Sequence, residues 1–171
     1  MATNWSFIGG GVSVVASGST AALTSPTITP NVGDLLVCTY GNQGATTANT
    51  AISISDTGAG GWTAILGALQ TAGGSKNILQ GWWKIANSTD HAGFTITCTA
   101  SGGTGTESSR LECDVFRVSG SGTVGGIDIT GSFGTLSTVT TQGGSPASGS
   151  THASNADCLA FTCVYSGLNS N

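Results

Sequence analysis

Gly93-Phe94-Thr95-Ile96-Thr97-Cys98-Thr99-Ala100 alternates along its whole length. Phe94, Ile96 and Cys98 fall on one side of an extended chain, and Thr95, Thr97 and Thr99 on the other. That period of two is the signature of a strand with one buried face. Ala51–Asp56 (AISISD) repeats the pattern, with Ile52 and Ile54 on one face. Asp34–Tyr40 (DLLVCTY) is apolar on both sides and predicts a central strand. Asn77–Ala86 (NILQGWWKIA) is longer, and Arg110–Val118 (RLECDVFRV) and Asp157–Ser166 (DCLAFTCVYS) extend the series. Shorter candidates are Asn4–Ile8, Gly11–Ala16, Gly61–Leu66, Gly126–Thr130 and Thr138–Thr141, with Thr27–Thr29 held between Pro26 and Pro30 as an edge or a turn approach.

Helix formers are scarce, with two Glu and one Met in the chain, while Gly, Ser and Asn clusters punctuate the β-branched runs. Roughly nine to eleven short strands at this spacing predict an all-β, antiparallel β-sandwich, jelly-roll or Ig-like. At 171 residues the chain is read as a single domain, 1–171. Residues 131–154, rich in Gly, Ser and Thr, read as a loop or arm that orders on a partner. Val32–Tyr40 and Asn155–Cys163 share a small residue, Asp and an apolar run, which suggests two equivalent core strands rather than a repeat.

The charge pattern narrows the function. Only 12 residues are charged, against 28 Gly, 22 Ser and 26 Thr, and the net charge is −4. Lys76, Lys84, Arg110 and Arg117 are the only Lys and Arg. Phosphate binding needs several cations on one face, so nucleic acid is not an expected partner. No apolar run reaches the ~20 residues of a membrane span, and the start has neither a basic nor an apolar signal region. The expectation is a protein made in a cytoplasm without a signal peptide and leaving, if it leaves, by lysis, by another route or inside a particle. A surface so poor in charge fits one that is largely covered by neighbours or skinned with Ser, Thr and Gly.

Candidate chemistry is thin. Cys38, Cys98, Cys113, Cys158 and Cys163 lie within predicted strands without zinc spacing, and read first as small buried hydrophobes. A disulfide between neighbouring or facing strands stays open, as does a cross-link to another subunit through the odd thiol. His91 beside Asp90 reads as a solvated loop pair, and His152 also falls in a loop. Glu112 and Asp114 share a strand face, bracketed by Arg110 and Arg117, and read as a salt-linked face rather than a glycosidase pair. Asp56, Asp90 and Asp128 stand at strand ends, where Asx-turns are common and a calcium loop is the alternative. Gly9–Gly11 reads as a flexible turn, since no Lys or helix follows to make a phosphate loop. Without a nucleophile–base pair, the chain is read as a non-enzyme with no cofactor and no metal.

The aromatic residues carry more. Trp5, Trp82 and Trp83 are the candidate interface residues. Trp82 and Trp83 are adjacent in one strand and must point to opposite faces: one enters the core, and the other faces solvent, a second layer or a partner.

A Trp-bearing first strand is followed by Gly33-Asp34-Leu35-Leu36-Val37, Asp56…Gly61-Trp62-Thr63 and Trp82-Trp83-Lys84-Ile85-Ala86. Then come Phe94-Thr95-Ile96-Thr97, Phe116-Arg117-Val118-Ser119-Gly120 and Gly126-Ile127-Asp128. This order resembles β-sandwich proteins among tailed-phage structural proteins and bacterial surface modules. The resemblance implies a non-enzymatic virion protein, of the capsid decoration or cement type. Its implied partners are copies of itself and the major capsid protein, and its implied location is the virion. It carries over no catalytic residue. The chain stops soon after Ser166, where the pattern leads one to expect another strand or two, so a neighbour is expected to complete one sheet edge. The alternative is a carbohydrate- or receptor-binding module of a fibre or surface protein, with host glycan stacking on the outward Trp.

Overall fold

The computed structural model describes residues 4–17, 22–44, 46–47, 49–65, 70–71, 76–91, 93–104 and 108–119. Nine strands occupy them: β1 (Asn4–Ser17), β2 (Ala22–Thr24), β3 (Leu35–Gln43), β4 (Ala51–Asp56), β5 (Thr63–Ala64), β6 (Gln70–Thr71), β7 (Asn77–Ile85), β8 (Ile96–Ser101) and β9 (Ser108–Ser119). All pairings are antiparallel. The larger sheet runs β1-β9-β3-β7-β5, with β6 also on β7; the smaller runs β2-β8-β4. The two sheets face each other as an all-β sandwich.

Side-chain parity sorts each strand between the sheets and the outside. Leu36, Cys38 and Tyr40 of β3, Ile78 and Trp82 of β7, and Leu111, Cys113 and Val115 of β9 point inward. They meet Leu23 of β2, Ile96, Cys98 and Ala100 of β8, and Phe94, with Ile52 and Ile54 of β4 packed alongside. β3 is buried on both faces, as a central strand should be. Each fully buried Leu, Ile or Phe contributes about 1.5–3 kcal/mol, so this layer supplies most of the stabilisation.

Polar clusters close the two ends of the core. At one end Tyr40 Oη and Asn42 Nδ2 both donate to Ser109 Oγ, at 3.1 and 2.8 Å. There Asn49 Nδ2 donates to Asn42 Oδ1, while its own Oδ1 accepts from Gly103 N. At the other end the turn before β3 is fixed by Asp34. Its Oδ2 accepts from Asn31 N at 2.7 Å, and Gly33 supplies the positive φ of 92° that the turn requires. Arg117 grips the same carboxylate through two bonds of 2.7 Å.

Several expectations change. Gly9–Gly11 is not a turn: it lies inside one continuous β1, where the register with β9 shifts between Phe7 and Val12. A β-bulge absorbs the extra residues without ending the strand. Thr27–Thr29 makes a single bridge, Ile28 to Phe94, because flanking prolines remove the donors of a ladder. Of Gly61–Leu66, Thr63–Ala64 form β5, and Leu66 lies outside the described residues. Arg117 does not bracket Glu112 and Asp114; it sits on the opposite parity and pairs with Asp34, leaving Arg110 to bind Glu112 at 2.9 Å. The predicted strands Gly126–Thr130, Thr138–Thr141 and Asp157–Ser166, the loop 131–154, and Asp128, His152, Cys158 and Cys163 lie outside the described residues.

Candidate functional site

β7 explains the outward face. Its inward positions are Ile78, Gln80, Trp82 and Lys84, so Trp83 and Ile85 fall on the other side of the sheet. Trp82 is 6% exposed and packs opposite Cys38 in the core. Trp83 is half-buried and belongs to a second apolar cluster, with buried Leu35, Val37 and Ile65 and half-buried Ile85 and Phe116. Phe7, opposite Phe116 in the β1–β9 register, stands 54% exposed with its ring 5.6 Å from that of Phe116. A two-sheet sandwich needs only its inner faces to be apolar. Here an aromatic strip, Phe7–Phe116 and Trp83, continues on the outside. The Trp83 indole N–H is buried and has no hydrogen-bond partner among the described residues. Asp114 is on the same outward parity as Phe116. Burial, and then the nearby Glu112 charge, push its carboxyl above the usual range. Trp5 pairs through its backbone with Val118 in β1; its side chain lies outside the described set.

Gly81, between the two tryptophans and Gln80, is needed at close approach. A Cβ there would stand 3.3 Å from Ile65 Cδ1, the side chain that covers the second cluster.

The sequence reading missed a second constellation. Lys84 Nζ lies 2.9 Å from Asp56 Oδ2 and 2.9 Å from Asp90 Oδ1, and all three side chains are at most 2% exposed. Asp56 ends β4 on the inward parity of Ile52 and Ile54 and is caught by its own turn. Gly58 N and Gly60 N donate to its Oδ1, and Trp62 Nε1 donates to its Oδ2 at 2.7 Å. Burial pushes the Asp56 carboxyl up, but the hydrogen bonds from Lys84, Gly60 and Trp62, with the Lys84 charge, outweigh it and hold the carboxyl below its ordinary value. Asp90 Oδ2 accepts from Asn87 N at 2.9 Å. The ammonium also sits 5.3 Å from the Phe94 ring centroid and 5.5 Å from that of Trp62. Asp90 is therefore not a solvated partner of His91, which is exposed. Asp56 and Asp90 do converge, as a calcium loop would require, but on the Lys84 ammonium, which fills the place a cation would take. Strand parity was the available signal: Lys84 follows Ile78 and Trp82 at steps of two.

Three predicted cysteines come together at the centre. Cys38, Cys98 and Cys113 are free thiols, each at most 1% exposed. Cys38 and Cys113 are register partners in the larger sheet, and Cys98 Sγ approaches Cys38 Sγ across the sandwich at 4.0 Å. Contacts with the Cys113 and Cys98 thiols, followed by burial, push the Cys38 thiol well above its ordinary value, so it stays protonated at neutral pH. No group of three or more His, Cys, Asp or Glu side chains among the described residues has metal-binding geometry. Beside this centre a shallow groove of about 260 Å³ opens between Ile8–Gly9 and Thr27–Thr29, with Cys113 and Val115 on its floor.

Comparison with protein-family models, with curated proteins and with solved structures finds no match to this chain.

Proposed function

We propose that this chain is a non-enzymatic structural protein of a phage virion, a capsid decoration or cement subunit that binds the assembled shell through the outer face of its larger sheet. The observation that carries the reading is the aromatic strip on that face: exposed Phe7 against Phe116, beside half-buried Trp83. Exposed aromatic clusters around a Trp are where interfaces concentrate their binding energy. The charge distribution supports the reading. Lys84, Asp56 and Asp90 pair inside the fold and buried Asp34 holds Arg117, which withdraws these charges from that face and leaves Arg110, Glu112 and Asp114 of β9 on it. The partners are further copies of the chain and the major capsid protein, and the location is the virion.

The test is co-sedimentation of the purified chain with shells of its own particle that lack it. Saturable binding at a fixed ratio to the capsid protein is expected. Absence of binding over a wide concentration range would end this reading. In that case the aromatic strip supports a carbohydrate- or receptor-binding module instead, and a shift in indole fluorescence on adding host-surface glycan would identify it.

A further inference from the structure

The closed cluster of Lys84, Asp56 and Asp90 holds more chemistry than a structural ion pair requires. One amine stands at hydrogen-bond distance from two carboxyl groups, under two aromatic rings, with all three side chains at most 2% exposed. We propose that this cluster is the site of an autocatalytic amide cross-link between Lys84 and Asp90, with Asp56 as the proton acceptor.

The roles follow from the contacts. Asp56 accepts from Gly58, Gly60, Trp62 and Lys84, which saturates its oxygens and holds the anion in place. Asp90 has fewer donors: Asn87 N on Oδ2 and Lys84 on Oδ1. Full ionisation of the three groups would leave one net negative charge in a site closed to water. Asp56, with more donors, is the better-held anion, which leaves Asp90, with fewer, as the carboxyl that is attacked. Lys84 then needs only to pass one proton to Asp56, 2.9 Å away, to become a neutral amine. That amine already lies 2.9 Å from an oxygen bonded to the carbon it attacks. Positioned reactants of this kind react as if at very high concentration.

The balance is that of a condensation. The Nζ–Cγ bond forms, and a second proton leaves nitrogen as the Cγ–O bond of Asp90 breaks. The departing oxygen takes both protons, the first by way of Asp56, and leaves as water, so Asp56 returns to its carboxylate form. Nothing is oxidised or reduced. The drive comes from the site itself: a buried cation and carboxylate, costly to keep from solvent, become one neutral amide.

The cleavage pattern of the intact chain tests this. Trypsin can cut only after Lys76, Lys84, Arg110 and Arg117. The expected result is an intact mass lower than that of the sequence by one water, with no cleavage after Lys84 in the denatured chain. A single peptide 77–110, lighter by one water, replaces peptides 77–84 and 85–110. Full intact mass with clean cleavage after Lys84 overturns the proposal. A branched product joining residues 1–76 to 77–110 overturns the assigned roles, because it makes Asp56 the acceptor. Asp56→Asn, checked for native tryptophan fluorescence, is expected to keep full mass and be cleaved after Lys84. Unimpaired cross-linking in that variant would remove Asp56 from the mechanism.

Discussion

Trp82 and Trp83 are chemically identical neighbours on opposite faces of one strand, so replacing each by Ala separates core from surface. Trp82 is 6% exposed and lies between the sheets, opposite Cys38. A Trp in such a place buries about 200 Å² or more, worth about 5 kcal/mol by area, and Trp→Ala in cores costs about 3–5 kcal/mol. Most of the Trp83 side chain is withdrawn from solvent, so its area contributes about 3–4 kcal/mol. Its buried indole N–H, without a partner among the described residues, subtracts about 1–3 kcal/mol from that. Trp83→Ala is therefore expected to cost no more than about 3 kcal/mol, less than Trp82→Ala. Trp82→Ala removes a fifth or more of the about 5–15 kcal/mol that holds a typical domain together. Trp83→Phe keeps a ring and deletes the unsatisfied donor, so its stability should equal or exceed that of the wild type. Urea denaturation followed by far-UV circular dichroism measures all three. Equal losses for the two Ala variants, or a clear loss for Trp83→Phe, would refute the assignment of faces and of the orphan N–H.

Other consequences are as specific. Gly58→Ala would drive a Cβ into Asp90 Oδ1 and against Phe94, so it should destabilise by about 1–3 kcal/mol in thermal melts, far beyond an ordinary loop substitution. Arg117→Ala strips a bidentate partner from Asp34, which is 2% exposed; a loss of about 1–3 kcal/mol in urea denaturation is expected, discounted because Arg117 is itself one-third exposed. Cys38 has its thiol raised in the folded state, so its contribution is complete below the unfolded value near 9.0 and declines as pH rises above it. Urea midpoints should accordingly fall on the alkaline side of pH 9, and Cys38→Ala should reduce that slope.

The sandwich was legible because its strands obey a period of two. Ile52 and Ile54, and Phe94, Ile96 and Cys98, point inward as their spacing dictates. Adjacency alone required Trp82 and Trp83 to part. What sequence could not show was order across the sheets: nothing in spacing places β9 between β1 and β3, or brings Cys98 to Cys38. The glycine run at Gly9–Gly11 misled because glycine serves bulges as well as turns, and only the partner strand decides which. The Lys84 cluster was overlooked for a different reason. Each of its members looks ordinary alone, a strand lysine, a strand-end aspartate and a loop aspartate, and their meeting depends on β4, β7 and the loop after β7 converging at the same end of the core. Had parity been applied to charged residues as strictly as to apolar ones, Lys84 and Asp56 would both have been marked as inward.

The outer face of the larger sheet is the proposed docking surface for the shell. Titrating shells that lack the chain with wild-type and Trp83→Ala protein, both shown to be folded, tests this directly. A Trp at the centre of an interface is worth about 2 kcal/mol or more, so the variant should bind about thirtyfold more weakly at unchanged stoichiometry. Equal affinity of the two proteins would contradict the claim and remove Trp83 from any docking surface.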